Sequence, residues 1–428
     1  MRESPASRPR GGTADKARRK LRTIVLSDQR AGEQLFAGGR PRPHTRSVSH
    51  GAASEKILIV RLSAMGDVLQ TLPAFSELRA ARPEAELGWV VERRFASLLE
   101  GHPSIDRLFV FERSHGGGIG TNIRALLRLR AELRAWGPTV AVDAQGNLRG
   151  ALVVRLSGAA RRVALAPPAA REGSARFANE IVPASDDPRE HRGDQARRLF
   201  APLRRSGPSD PSSDAVLAAE LGGTAELGTA GAAAGPLLPP ISDDIRQAVT
   251  AALDAAGLRE RPFALLIAGT SAFGAFKRWP AAHFGALAQR LRDERGLAVL
   301  VSYGPGQESL ARKITAASDG AATPAPATGS LMELRAQIEA AALVVGADSG
   351  PVVLAGLIGR PTVALFGPKD PAIYRPPGSQ TTAVWKGVYC APCKLRKCDD
   401  PICMTLLDPD DAWRGVQRAL PRPRETVA

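Results

Sequence analysis

The sequence predicts an α/β chain built from two doubly wound parallel sheets, and three observations lead there. Short apolar runs alternate with longer segments of helical spacing in both halves of the 428 residues. Several runs, such as Lys56-Ile57-Leu58-Ile59-Val60, are apolar at successive positions, as in a strand buried on both faces of a parallel sheet. Residues 206–243 interrupt the alternation with linker-like sequence (GPSDPSSD, GGTAELGTAGAAAGP). The expected organisation is a basic extension at 1–54, a first domain at 55–205, the linker at 206–243, a second domain at 244–407 and a final helix and tail at 408–428.

In the first half, residues 56–62 read as a strand. Ser63 to Asp67 form a turn, and 68–82 a helix with Leu69, Leu72, Phe75 and Leu78 on one side, ending before Pro83. Strands follow at 87–91 and 107–111, with a short helix at 95–100 between them. An amphipathic helix at 122–136, a strand at 139–143 opening onto Ala144-Gln145-Gly146, a helix at 148–157 and a short strand at 162–164 complete this half. An edge strand is expected at 216–218 inside the linker. The second half repeats the pattern: helix 241–256 with Ser242 as N-cap, strand 263–267, helix 281–295 behind Pro280, strand 297–303 and helix 308–316. Helix 331–341, strand 343–347, helix 352–358 and strand 361–366 follow. A last helix at 409–420 is capped by Asp408, with Pro409 at its first position.

With 44% hydrophobic and 24% charged residues the chain has the composition of a globular protein, and no apolar stretch approaches the ~20 residues a membrane-crossing helix needs. The net charge of +15 is uneven: residues 1–54 hold 12 Lys/Arg against 4 Asp/Glu. That segment reads as a disordered extension. It lacks the apolar core of a signal peptide, so a cytoplasmic, reducing location is expected. Only 5% of residues are aromatic, and no basic stripe interleaves with them, so nucleic acid is not an expected partner.

In open α/β sheets ligands bind beyond the carboxyl ends of the strands. Asp67 opens a helix there, as a dipole-stabilised carboxylate or a general base. Gly269-Thr270-Ser271 and Asp348-Ser349-Gly350 offer small side chains and backbone N–H groups at strand-to-helix turns, which suit a diphosphate, and Lys277 adds a cation. Glu308, past a Gly-Pro-Gly turn, is placed to accept from ribose hydroxyls or to cap its helix. Neither G-x-G-x-x-G after the first strand nor G-x-x-x-x-G-K-[ST] is present, which counts against a dehydrogenase and a P-loop NTPase. Cys390, Cys393, Cys398 and Cys403 have spacing that can form a structural zinc site, among the basic Lys394, Arg396 and Lys397. Four thiols without metal is the alternative.

Taken in order, Arg61-Leu62-Ser63-Ala64-Met65-Gly66-Asp67-Val68-Leu69-Gln70-Thr71-Leu72-Pro73, Asp143-Ala144-Gln145-Gly146, Lys277-Arg278-Trp279-Pro280, Asp348-Ser349-Gly350-Pro351 and Leu365-Phe366-Gly367-Pro368 resemble glycosyltransferase family 9, the ADP-heptose:lipopolysaccharide heptosyltransferases. The likeness covers about residues 56–420. With Ala170-Arg171-Glu172 it lies nearest the heptosyltransferase I branch. The resemblance implies a GT-B fold, two Rossmann-like domains facing across a cleft, with the final helix packed back on the first domain. It implies inverting transfer of a heptose from ADP-heptose to a Kdo-lipid A type acceptor, with no metal or other cofactor required for catalysis. In that pattern Asp67 is the base and Lys277 contacts phosphate. Thr270, Ser271, Glu308, Asp348, Ser349 and Gly350 hold the donor, while Ser63, Met65, Gly66, Gln145 and Arg171 meet the acceptor. The chain departs from the pattern at Val353, where the family usually carries His. An acceptor in the inner leaflet implies a peripheral membrane partner, which a basic face of Arg93, Arg94, Arg124, Arg128 and Arg149 would suit; a solvated helical face is the plainer reading. A different donor or acceptor, as in heptosyltransferase II, or a non-catalytic nucleotide-sugar-binding descendant are the alternatives.

Overall fold

The computed structural model describes residues 54–113, 119–204, 236–258, 261–270, 272–393, 395 and 397–421. The extension at 1–53, most of the linker (205–235) with its expected edge strand at 216–218, and Ser271, Lys394 and Arg396 lie outside the described residues.

The first sheet comprises β1 (Lys56–Val60), β2 (Glu86–Glu92), β3 (Arg107–Phe111), β4 (Val140–Asp143), β5 (Arg161–Leu165) and β6 (Glu180–Val182), all parallel, in the order β3-β2-β1-β4-β5-β6. The second comprises β7 (Phe263–Ile267), β8 (Ala298–Ser302), β9 (Ala322–Pro324), β10 (Leu343–Ala347), β11 (Thr362–Phe366) and β12 (Thr381–Trp385). These are also parallel, in the order β9-β8-β7-β10-β11-β12. Each sheet thus reverses direction once, between β1 and β4 and between β7 and β10. Such a reversal leaves a crevice at the carboxyl edge, where the helices diverge to opposite faces.

The helices are α1 (Met65–Ala81), α2 (Arg93–Ala96), α3 (Ile119–Trp136), α4 (Leu148–Ser157), α5 (Arg192–Arg204), α6 (Asp243–Ala255), α7 (Ala281–Arg295), α8 (Glu308–Ala317), α9 (Leu331–Ala340), α10 (Gly350–Leu357), α11 (Pro371–Tyr374), α12 (Ile402–Thr405) and α13 (Pro409–Ala419). Among the described residues none is long and apolar enough to cross a membrane. The alternation of β1 explains the layering. Ile57 and Ile59 enter one apolar cluster, Leu58 and Val60 another, so the strand is buried on both faces. The larger cluster is shared by the two halves: Val68, Leu69, Leu72 and Phe75 of α1 join Val352, Val353 and Leu354 of α10. The described end of the linker adds Leu238 and Ile241 to it.

Two expectations need correction. The final helix does not pack on the first domain. α13 lies against β11, β12 and α7, with Trp413 and Val416 in a cluster made only of second-half residues. Its strongly one-sided apolar face finds cover on its own sheet. The short helix expected at 95–100 forms at Arg93–Ala96 and unwinds into turns. The capping of α13 is as expected: Asp408 accepts from the Asp411 amide at 2.8 Å in a full capping box.

Candidate active site

The two reversal points meet. Met65 at the start of α1 lies so close to Gly350 at the start of α10 that a Cβ on Gly350 would stand 2.7 Å from the Met65 side chain. Gly66 faces Val353 Cγ2, which a Cβ would meet at 3.4 Å. Any residue larger than Gly at 350 would prise the two helix N-termini apart. Val353 is therefore an apolar contact between the halves, buried at 3% exposure, where an imidazole would have to find room against Gly66. Met65 is likewise buried in this contact.

Asp67 sits in the first turn of α1, half-buried, with Oδ1 3.2 Å from the Arg61 guanidinium. Burial alone would raise its pKa. Arg61, Arg192, the Ala64 amide and Arg171 outweigh burial and hold the carboxyl below the usual carboxylate range. Arg61 is buried, and its other end donates to the Ala144 carbonyl, which fixes the pair against the β4 loop. Arg192, from α5, reaches the Tyr374 hydroxyl at 3.2 Å and lies over that ring. Neither Arg61 nor Arg192 was among the expected site residues.

Gln145 holds backbone through its amide oxygen. Its Oε1 accepts from the Leu62 amide at 2.9 Å and the Ser63 amide at 3.1 Å, both buried. It thereby clamps the turn that carries Asp67, and Ser63 is itself buried and held by this bond. Gln145→Ala is expected to strand two buried N–H groups, lowering stability by roughly 2–4 kcal/mol in urea unfolding and loosening the turn. An unchanged unfolding midpoint would contradict this. Arg171 is exposed, and its amide donates to Gly146 O at 3.0 Å. Gly146 takes φ +63°, and a Cβ there would stand 2.8 Å from Ala169 O, so only Gly lets the two loops touch.

Next to this turn Asp143 accepts from the Gln145 and Gly146 amides through Oδ1, at 3.1 and 3.0 Å, while its Oδ2 is buried without a partner. Burial, partly offset by those amides and by Arg61 and Arg171, pushes its carboxyl up to about 6. The folded chain then holds this proton more tightly than the unfolded chain. The stability it contributes is full below the ordinary 3.8 and is lost as pH rises through about 6. Asp143→Asn should lack that decline. The stability difference between the two proteins is expected to change by roughly 3 kcal/mol across this window in urea titrations. A constant difference would contradict it.

On the opposite wall Lys277 ends a 3-10 turn (Ala272–Lys277) and is paired with Asp348 Oδ2 at 2.5 Å. Trp279 anchors the segment from below. It is buried, donates to Leu407 O at 2.6 Å and stacks edge-on against Phe284. Thr270 Oγ1 and Ser349 Oγ are both buried and without a partner, at the carboxyl ends of β7 and β10. Buried hydroxyls with nothing to bond are costly, and a ligand's oxygens would relieve them. Gln307 Nε2 ties the neighbouring loop to Thr270 O at 2.7 Å, and Gly269 leaves space for that side chain. Glu308 is exposed and accepts from the Gly306 amide at 3.2 Å, a local helix-start contact. A second tie joins the halves: Asp370 takes both nitrogens of Arg189 at 2.7 and 3.0 Å, and Gln70 and His191 bond the Tyr374 and Arg375 carbonyls.

The four cysteines are free thiols lining one cavity of about 210 Å³ with Phe276 and Pro368. Among the described residues no group of three or more His, Cys, Asp or Glu is arranged to hold a metal ion. Burial, with the neighbouring thiols, pushes Cys403 up to about 11. Of the expected basic face, Arg93 pairs with Glu112 and Glu100, and Arg94 and Arg149 with Glu92, while Arg124 and Arg128 are exposed.

A sugar held on a nucleotide must be gripped by its phosphates on one side and met by its new partner on the other. Two sheets of this order, joined at their reversal points, define the class: a two-domain GT-B protein. A family model described as glycosyltransferase family 9 (heptosyltransferase) matches residues 126–402, and the chain belongs to that family. It is similar to lipopolysaccharide heptosyltransferase 1 of Pseudomonas aeruginosa, 26% identical over 389 residues, spanning 86% of this chain and 99% of the relative. The Escherichia coli K12 protein of the same name is 27% identical over 325 residues, spanning 74% and 89%. Among solved structures, E. coli heptosyltransferase WaaC with ADP superposes with a TM-score of 0.59 at 23% identity, covering 85% of this chain and 99% of that one. E. coli ADP-heptose LPS heptosyltransferase II gives 0.61 at 19% identity, covering 85% and 98%. These structural likenesses speak for the fold.

Proposed function

We propose that this family 9 enzyme transfers a heptose from ADP-heptose to the Kdo region of a lipid A acceptor in lipopolysaccharide, with inversion at the anomeric carbon. The reading is carried by the contact of Met65 with Gly350. Asp67 lies two residues beyond Met65 and Asp348 two residues before Gly350, so the contact supports reading the two carboxylates as opposite walls of one site. The named relatives, lipopolysaccharide heptosyltransferases, support the substrate class.

Asp67 accepts the proton of the acceptor hydroxyl as that oxygen bonds to the heptose C1. The bond from C1 to the β-phosphate oxygen breaks, and its electron pair leaves with ADP. With a single base and direct displacement, the new bond forms on the face opposite the leaving group. Lys277, the Ser349 and Thr270 hydroxyls and the first amides of α10 face the growing diphosphate charge. Lys277 exchanges its Asp348 partner for a phosphate oxygen, which frees Asp348 for sugar hydroxyls. Arg61, Arg171 and Arg192 keep Asp67 ionised and present positive charge to an anionic acceptor. The same charges make Asp67 a weak base, so its strength comes from position. The acid limb of the pH–rate profile is expected below the usual carboxylate range, with no loss attributable to Asp67 at neutral pH.

The test is incubation with ADP-heptose and a defined Kdo-lipid A acceptor, reading product mass and ADP release. A heptose-extended product supports the reading. Binding of ADP-heptose without ADP release would favour a non-catalytic descendant, and product only with another nucleotide sugar would reassign the donor.

A further inference from the structure

We infer that the N-terminal halves of α3 and α4 form a docking surface for an anionic bilayer beside the acceptor side of the site. The inference rests on the proposed lipid-borne acceptor. Four large apolar side chains are exposed together here: Ile123 at 51%, Leu127 at 56%, Leu148 at 47% and Leu152 at 37%. Ile123 and Leu127 are four residues apart on α3, and Leu148 and Leu152 four apart on α4, so each pair shares one helix face. The two helices pack side by side. A groove of about 290 Å³ lies there, lined by Ile123, Leu126, Leu152 and Val153, with Arg113 and Arg149 alongside. Inward-facing positions of the same helices, such as Leu129, Leu133 and Val153, are already buried against the first sheet. The outward apolar residues are therefore surplus to the core.

Charge identifies the occupant. α3 carries Arg124, Arg128, Arg130 and Arg134 against Glu132 alone, and α4 carries Arg149 and Arg155 with no acid. Arg113, Arg149 and Arg94 all share the single buried carboxylate of Glu92, while Glu172 accepts from the Leu148 amide at 3.2 Å at the start of α4. Arg124 and Arg128 follow Ile123 and Leu127 in sequence and are exposed. Apolar side chains flanked by arginines suit the boundary between headgroups and acyl chains of an anionic leaflet. An acidic soluble protein would match the arginines and leave the four aliphatic side chains without a purpose.

Position supports the same occupant. α4 begins just past β4, so Leu148 and Leu152 stand at the carboxyl edge of the first sheet, where Gln145 clamps the Asp67 turn. The C-terminal halves of both helices, with Glu132, Arg134 and Arg155 exposed, point away from it. A bilayer resting on this end would hold a membrane-anchored headgroup near the base, and its glycan would not have to leave the leaflet.

The full chain should be tested by flotation with vesicles containing about one-quarter phosphatidylglycerol in phosphatidylcholine, and with phosphatidylcholine alone, at about 0.15 M salt, where the basic residues 1–54, common to wild type and variants, cancel in the comparison. The variant carries Ile123→Ser, Leu127→Ser, Leu148→Ser and Leu152→Ser together. The wild type is expected to float with the anionic vesicles and the variant to bind about tenfold more weakly or less. Turnover of a de-acylated, soluble acceptor should be equal in both. Arg124→Glu with Arg128→Glu provides a second variant should the first fail to fold, and it is expected to lose binding as well. Equal vesicle binding by folded variants would overturn the inference. So would self-association of the wild type through this face, seen as a dimer that the variants abolish while neither form binds vesicles. The soluble-acceptor assay judges the proposed reaction separately: absent turnover there counts against the reaction, and the vesicle result alone decides the surface.

Discussion

Asp67→Asn and Asp67→Ala are both expected to cut turnover by about 10²–10⁴-fold while ADP-heptose still binds, because each removes the group that takes the acceptor proton. The two variants should part company in stability. Arg61 is buried and directs one arm at Asp67 and the other at the Ala144 carbonyl. Asn keeps an oxygen for that guanidinium; Ala leaves a buried charge short of its partner, which is strongly destabilising. Equal loss of rate with unequal loss of stability, read by steady-state kinetics and urea unfolding, would separate base chemistry from structural support. Full activity in Asp67→Asn would remove the base from the proposal.

Lys277→Ala carries the second large effect. Removing a cation aimed at a leaving diphosphate is expected to lower kcat by about 10²–10³-fold. A charge-assisted bond worth about 1.5–3 kcal/mol implies a loss of ADP affinity of roughly tenfold or more by calorimetry. Part of the damage would come from Asp348, which is mostly buried and bonded to Lys277 without ligand. The Lys277→Ala, Asp348→Ala double variant should therefore recover stability and leave the rate low. If Lys277→Ala bound ADP as well as the parent, the diphosphate would have to lie elsewhere.

How far the sequence reveals this arrangement varies with the kind of contact. Strands at Arg107–Phe111, Phe263–Ile267 and Leu343–Ala347 are legible to the residue, since their apolar runs end sharply at polar or turn-forming neighbours. β6, β9 and β12 are edge strands with little apolar run to betray them, and the sequence does not reveal any of the three. α5 was missed as well. Its sequence, RGDQARRLFAPLR, is highly polar and contains Pro202; Arg197 and Arg204 are satisfied by the distant Glu77 on α1, and Arg198 by Glu190 just before the helix. Losing α5 hid Arg192, whose value to the site depends on Tyr374 nearly half the chain away.

The site shows the same division. Asp67, Lys277, Asp348, Ser349 and Thr270 are legible because a strand end followed by a turn places them at a sheet edge whatever the rest of the fold does. Gln145 is legible as a loop residue, but its motif does not say that its amide oxygen bonds backbone more than 80 residues earlier. Val353 and Met65 are opaque for a related reason. Their surroundings are set by how the two halves meet, and no local pattern encodes that contact.

A crystal structure of the Asp67→Ala protein with intact ADP-heptose tests the two-wall site most directly. The diphosphate should lie within hydrogen-bond reach of Lys277 Nζ and Ser349 Oγ, with the anomeric carbon turned toward the space vacated at residue 67. A nucleotide bound with its sugar directed away from residue 67, or phosphates out of reach of Lys277, would contradict the account.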